Sequence, residues 1–167
     1  MTVTVRWATA GDAATIVEFI RGLAEFEREP PESVKVTEAD IVRDGWGETP
    51  RFEALIAELA GQPVGFALFF MNYSTWEGTA GIYIEDLFVL DVARGTGAGR
   101  ALMAAAAAVA RERGCARLEL SVLDWNPARG FYERLGMAHQ SEWLPYRLGA
   151  SGIAALAGEA GGFDGAS

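Results

Sequence analysis

Residues 94–99 read Arg-Gly-Thr-Gly-Ala-Gly, between a strand-like run and a long alanine-rich stretch. Closely spaced glycines let backbone N–H groups turn toward one point and let a ligand approach the main chain. The helix predicted to follow adds its own unpaired N–H groups and the positive end of its dipole. Such a loop is a seat for a diphosphate, with Arg94 or Arg100 adding charge. A P-loop would need Gly-Lys-Ser/Thr, but Gly99 is followed by Arg100 and Ala101. A dinucleotide fingerprint would need a third glycine where Arg100 stands, and the opening strand of that fold is also missing. An ordinary glycine-rich turn ahead of a helix is the competing reading.

A second chemical feature precedes the loop. Glu85 and Asp86 interrupt the apolar run 82–90. Strand alternation puts them on opposite faces, so one of the two would face a ligand. Against this stands an acid satisfied by neighbouring backbone or arginine. The single histidine, His139, lies beyond the last predicted helix. The single cysteine, Cys115, excludes an intrachain disulfide framework and a multi-cysteine zinc site.

The elements that must hold these residues follow from length and pattern. The chain has 167 residues and a net charge of −9. That length suits one domain, assigned here to residues 1–157, with 158–167 as a disordered tail. The acidic balance argues against nucleic-acid binding, which needs a cationic face. It is compatible with a cationic ligand, and equally with ordinary acidity. No apolar run reaches the ~20 residues of a membrane span and no leader pattern is visible, which points to the cytoplasm. Strands are predicted at 2–8, 52–59, 63–71, 82–90 and 116–123, with one or two more in 137–148. A helix capped by Asp12 carries Ile16, Ile20 and Leu23 on one face. Thr37 and Asp40 form a capping box for a second helix. The polar stretch 72–81 reads as a link. The alanine-rich helix runs to Arg113, with Gly114 just past its end. Asn126-Pro127 opens a short helix that Gly136 terminates.

With these residues in place, the chain resembles the GNAT superfamily of N-acetyltransferases, and within it the spermidine/spermine (diamine) acetyltransferase group. The segments that carry the likeness are 23–27, 44–48, 73–78, 83–89, 93–99, 123–126 and 131–136, so it spans roughly residues 5–148. It implies an α/β (α+β) fold: a mixed, mostly antiparallel twisted sheet of about seven strands flanked by helices. Two adjacent parallel strands, here 82–90 and 116–123, would splay into a V that holds acetyl-CoA. Backbone groups of Leu87, Phe88 and Val89 would hold the acetyl and pantetheine region. Arg94, Gly95, Thr96, Gly97, Ala98 and Gly99 would hold the diphosphate, and Asn126 the far side of the pantetheine. Phe26, Glu27 and Glu85 fall where the group contacts its amine. The likeness also implies a homodimer; no metal is expected, since a chain of this size needs none to hold its core.

The implied reaction is direct attack of a neutral primary amine on a thioester. An amine of pKa ~10.4 is mostly charged at pH 7, which costs about 4.6 kcal/mol. Glu85 is the implied base, acting directly or through water, or else it only binds the acceptor. Tyr132 occupies the position of the family's general acid, which protonates the leaving sulfur. The competing reading is a packing tyrosine. A backbone N–H near residues 87–89 would meet the developing oxyanion. One departure touches this site. Four residues separate Asn126 from Phe131, where the family more often has five. On a helix the missing residue is about 100° of rotation, which puts the Asn126 contact in question. The acceptor that the resemblance implies is a small di- or polyamine or a lysine-like amine. The alternatives are another amine (an aminoglycoside, an amino acid or a protein N-terminus) or a non-catalytic acyl-CoA sensor.

Overall fold

Five strands form one sheet in the order β1-β2-β3-β4-β5: Val3–Trp7, Glu53–Leu59, Gln62–Ser74, Thr79–Val89 and Leu118–Leu120. This computed structural model describes residues 2–163 and 165. The first three pairings are antiparallel and only β4–β5 is parallel. Ala60 and Gly61, at φ of +49° and +75°, turn β2 tightly into β3, the backbone a two-residue hairpin needs. Residues 72–81 do not form a polar link as expected. Asn72, Tyr73 and Ser74 pair with Gly81, Ala80 and Thr79, so both strands run on and only four residues, 75–78, turn.

Both faces of β3 are covered, which accounts for its nearly continuous apolar run. On one face Phe66, Leu68 and Phe88 join Ile16 and Phe19 of α1 (Ala13–Phe26) and Ile41 of α2 (Glu38–Trp46). Phe19 stacks on Phe66 at 5.7 Å between ring centroids. On the other face the buried side chains of Leu55, Phe69, Ile82 and Ile84 meet α3 (Ala98–Glu112), whose Leu102 and Ala106 are fully buried. The Thr37–Asp40 capping box is present. Gly114 takes φ of +69° as Cys115 N–H donates to Ala110 and closes α3.

Contacts divide the chain into two compact units, one up to Phe131 and one from Tyr132 onward. The sheet and α1–α3 belong to the first, and α4 (Ala128–Arg134) crosses the division. In the second, Gly136 at φ of +91° ends α4 as expected, with Met137 N–H donating to the Tyr132 carbonyl. Among the described residues the sheet has five strands, not about seven. Residues 137–149 carry no strand. A strand exists only with a hydrogen-bonded partner, and Pro145 lacks the N–H to give one. An unforeseen helix, α5 (Ala150–Ala157), follows, as its alanine content favours. The expected tail begins just after it, and its residues 164, 166 and 167 lie outside the described residues.

Asp12 precedes α1 without capping it through its side chain. Its carboxylate instead accepts two hydrogen bonds from Arg6, at 2.8 and 2.9 Å, and one from the Thr9 N–H at 2.7 Å. Arg6 also donates to Glu58 at 2.7 Å, tying β1 to β2. The Arg6 guanidinium holds the Asp12 carboxyl down at about 2. Its folded value is below its unfolded one of ~3.9, so the stabilisation is present above about pH 4 and is lost as pH falls toward 2. Asp12→Asn should therefore lower stability at pH 7 by roughly 1–2 kcal/mol, discounted for the partly exposed Arg6. Urea unfolding across pH checks this: the gap between variant and parent should close near pH 2.

Candidate active site

The parallel ladder is short. Ile82, Tyr83 and Ile84 pair with Leu118, Glu119 and Leu120, and the pairing ends there. β4 continues to Val89 on its β3 side alone. Tyr83 Oη and Ser121 Oγ, 2.7 Å apart, fasten the strands at the last rung. The expected strand 116–123 thus shrinks to three residues because its later part has left β4. From Glu85 to Val89 the outer edge of β4 faces no strand among the described residues, and Leu87, Phe88 and Val89 lie along that stretch. Leu87 and Val89 are half-buried. The Phe88 ring is buried against Phe19, at 5.9 Å, over the space left by Gly22. The Phe88 backbone is committed too: Leu90 N–H donates to the Val64 carbonyl, so by ladder alternation Phe88 also bonds to β3, and Leu87 and Val89 are the residues whose backbone groups face the open edge.

A bulge sits where the strands part. Leu68 pairs with Asp86 and Phe69 with Ile84, leaving Glu85 as the extra residue. This corrects the simple alternation expected there. The bulge shifts the phase of β4, so Asp86 joins Tyr83 and Phe88 on the face covered by α1. Glu85 is exposed and Asp86 half-buried. Burial is the main reason that the Asp86 carboxyl is pushed up to about 7, with the charges of Glu85 and Glu27 adding to it. Glu27, at the end of α1, is raised by burial and by the charges of Glu29 and Glu85. Glu27, Glu85 and Asp86 thus form one electrostatically coupled group beside the parting. Among the described residues no cluster of His, Cys, Asp or Glu is gathered closely enough to hold a metal. A group that titrates near 7 is matched to moving a proton at neutral pH. Asp86, not singled out as catalytic from sequence, is the group with that property.

The glycine loop follows β4 directly. Residues 91–93 form one 3₁₀ turn, and Gly95 and Gly97 take φ of +79° and +92°. Among the described residues a Cβ at either glycine would meet nothing beyond its chain neighbours within 4 Å, so this backbone lies open. Gly97 caps α3 without any side-chain hydrogen bond, which leaves the N–H groups of the first turn turned outward. Ala98 is buried at the helix start, and a Cβ at Gly99 would sit 3.5 Å from the Phe131 ring. Thr96 Oγ1 donates to the Ala93 carbonyl at 2.6 Å. Arg94 is committed elsewhere: it pairs with Asp91 at 2.7 Å and lies over the Phe26 ring at 4.5 Å. Arg100 is exposed.

The end of α1 reaches both diverging strands. Phe26 is under Arg94, from the loop after β4. Arg28 is stacked on Trp125, from the segment after β5, at 4.0 Å to the ring centroid. Glu27, between them, couples to the bulge carboxylates. Asn126 is buried, and its Oδ1 accepts from the Ala128 N–H at 2.8 Å. It caps α4 as expected, which commits its oxygen and leaves the amide nitrogen as its donor. Tyr132 lies in α4 and its side chain is half-buried. A separate cavity of about 530 Å³, lined by Trp7, Trp46, Phe52 and Phe70 among others, contains none of these residues.

Residues 20–137 match the model of the Acetyltransferase (GNAT) family. The chain belongs to that family. It is 38% identical to a thialysine N-epsilon-acetyltransferase of Bos taurus, over 94% of this chain and 98% of that protein. It is 30% identical to a spermidine/spermine N(1)-acetyltransferase-like protein 1 of Homo sapiens, over 93% of this chain and 24% of that one. An integron cassette protein from the mobile metagenome of V. cholerae has the same fold, with a TM-score of 0.77 at 25% identity, covering 94% of this chain and 98% of that chain. GNAT enzymes use acetyl-CoA as co-substrate. The open glycine backbone, the α3 start with no side-chain cap and the unpaired edge of β4 fit a diphosphate and an extended amide-bearing arm.

The raised Asp86 carboxyl makes a stability prediction for this GNAT chain. Its folded value lies above its unfolded one, so ionisation costs stability, nothing below about pH 4 and increasingly as pH rises through 7. Asp86→Asn should raise Tm by roughly 5 °C at pH 8 and leave it unchanged at pH 4. Thermal melts at the two pH values check this, and a lower Tm at pH 8 would contradict it.

Proposed function

We propose that this enzyme transfers the acetyl group of acetyl-CoA to the primary amine of a small di- or polyamine or a lysine-like compound. One observation carries the acceptor class. Three coupled carboxylates, Glu27, Glu85 and Asp86, stand where the parallel strands part. Such a group draws a cation. The relatives named for thialysine and for spermidine/spermine support the same class.

Acetyl-CoA supplies the activated thioester. In this reading the backbone of residues 94–99 and the first turn of α3 hold its diphosphate. Leu87 and Val89, on either side of the β3-paired Phe88, offer backbone groups to the pantetheine, and one N–H of the two meets the developing negative charge. The amide nitrogen of Asn126 is its donor on the far side. Phe26, Glu27 and Glu85 bind the acceptor. An arriving ammonium favours the ionised form of the carboxylates around it, so the Asp86 carboxyl gives its proton to solvent as the cation binds; its carboxylate then takes a proton from the ammonium as the nitrogen attacks the thioester carbon, with Glu85 holding the charge. Tyr132 gives its proton to the departing sulfur, a role supported by its place in the 131–136 motif. The exposed apolar side chains of Trp143, Leu144, Tyr146 and Ile153 support a homodimer. A cytoplasmic location completes the reading; among the described residues no helix is long and apolar enough to cross a membrane.

Release of free CoA thiol should be measured across putrescine, spermidine, spermine, thialysine and an aminoglycoside. Turnover is expected with members of the first four and not with the aminoglycoside; the reverse pattern would overturn the acceptor class. Tyr132→Phe should lower kcat by roughly 10²-fold with little change in acetyl-CoA affinity, and an unchanged kcat would remove Tyr132 from the mechanism.

A further inference from the structure

Arg28 stands where a glycine is usual. Glu29 N–H donates to the Ala24 carbonyl and Arg28 N–H to that of Glu25, at 2.9 and 3.1 Å. That pair of bonds closes α1 with a left-handed residue, and Arg28 takes φ of +62°. For a residue with a side chain this backbone costs about 1–2 kcal/mol relative to glycine. Strain of this kind persists where a side chain is needed in place. The guanidinium is stacked on Trp125 at 4.0 Å, which fixes its plane and leaves its N–H edge open. Although Glu25, Glu27 and Glu29 flank it, Arg28 makes no ion pair among the described residues. It is therefore a positioned, exposed cation beside Glu27, next to a site otherwise built from carboxylates.

A polyamine has no use for that cation and is repelled by it. An α-amino acid with a terminal side-chain amine carries both kinds of charge: an ammonium for Glu27, Glu85 and Asp86, and a carboxylate. A planar guanidinium held against an aromatic ring presents parallel donors that match a carboxylate in two-point fashion. We propose that Arg28, held by Trp125, binds the α-carboxylate of the acceptor and so selects lysine-like amino acids over polyamines. This rests on the acceptor reading above and narrows it. Arg28 is a specificity residue, and the acetyl transfer itself does not use it.

The test compares thialysine, its carboxamide and cadaverine as acceptors for the parent enzyme, Arg28→Gly and Arg28→Lys. Glycine suits the left-handed backbone, so Arg28→Gly removes the guanidinium and should leave Tm unchanged or higher; a merely structural arginine would lower it. The parent should favour thialysine. Arg28→Gly should raise the KM for thialysine roughly tenfold or more, as losing a charge-assisted pair does. Its kcat should stay within about twofold, its acetyl-CoA affinity should hold, and its KM for the carboxamide and cadaverine should be unchanged or lower. Arg28→Lys should restore part of the preference. Equal shifts for thialysine and its carboxamide, or a parent enzyme that does not distinguish them, would overturn the proposal alone. No transfer to any of the three by the parent would overturn it together with the acceptor reading.

Discussion

The β4–β5 ladder stops after three rungs, and the rest of the site depends on that. A parallel pair that continued would satisfy the backbone of residues 85–89 internally and leave nothing to offer a ligand. Because pairing ends at Ile84 and Leu120, β4 keeps one edge in the sheet and frees the other. The β3–β4 pairing, which extends from Gly65–Val89 to Ser74–Thr79, lets it do so without losing its place. The glycine loop and the start of α3 lie immediately beyond that free edge, so one continuous stretch of main chain runs from residue 85 to 100.

At the same point a bulge turns two consecutive acids toward one neighbourhood. Like charges at short range, one of them half-buried, oppose folding and raise carboxyl pKa values. The core around Phe19, Phe66 and Phe88 supplies the burial that makes this tolerable. The same burial brings Asp86 to about 7, where a carboxyl can exchange a proton with an amine at neutral pH. In the proposed mechanism, stability and chemistry therefore pull in opposite directions at Asp86, a trade common at functional sites.

Much of this could be read from the chain. The Thr37–Asp40 box, the glycine-ended helices at Gly114 and Gly136 and the cap at Asn126 depend on local chemistry, and local chemistry is written in a few adjacent residues. The loop 94–99 was legible for the same reason. The bulge at Glu85 was not, because β4 is apolar toward both faces at Ile82, Ile84 and Phe88, and the lost alternation leaves no trace in such a strand. Strands in 137–148 looked plausible from composition, but pairing partners do not appear in a one-dimensional pattern. The Arg28–Trp125 stack joins residues 97 positions apart, and nothing in either neighbourhood announces it. Asp86 was visible as a residue, yet its raised pKa comes from burial and from Glu27, a neighbour only in space.

The central claim is that open backbone at the glycine loop grips a diphosphate and so aims a thioester into the gap beside β4. Calorimetric titration of the protein with acetyl-CoA and with S-acetylpantetheine, which lacks the diphosphate, tests it most directly, with Gly97→Asp as the matched variant. Acetyl-CoA should bind the parent at least about 10²-fold more tightly than S-acetylpantetheine, and Gly97→Asp should abolish that advantage. Equal affinity for the two ligands, or undiminished acetyl-CoA binding in Gly97→Asp, would contradict the account.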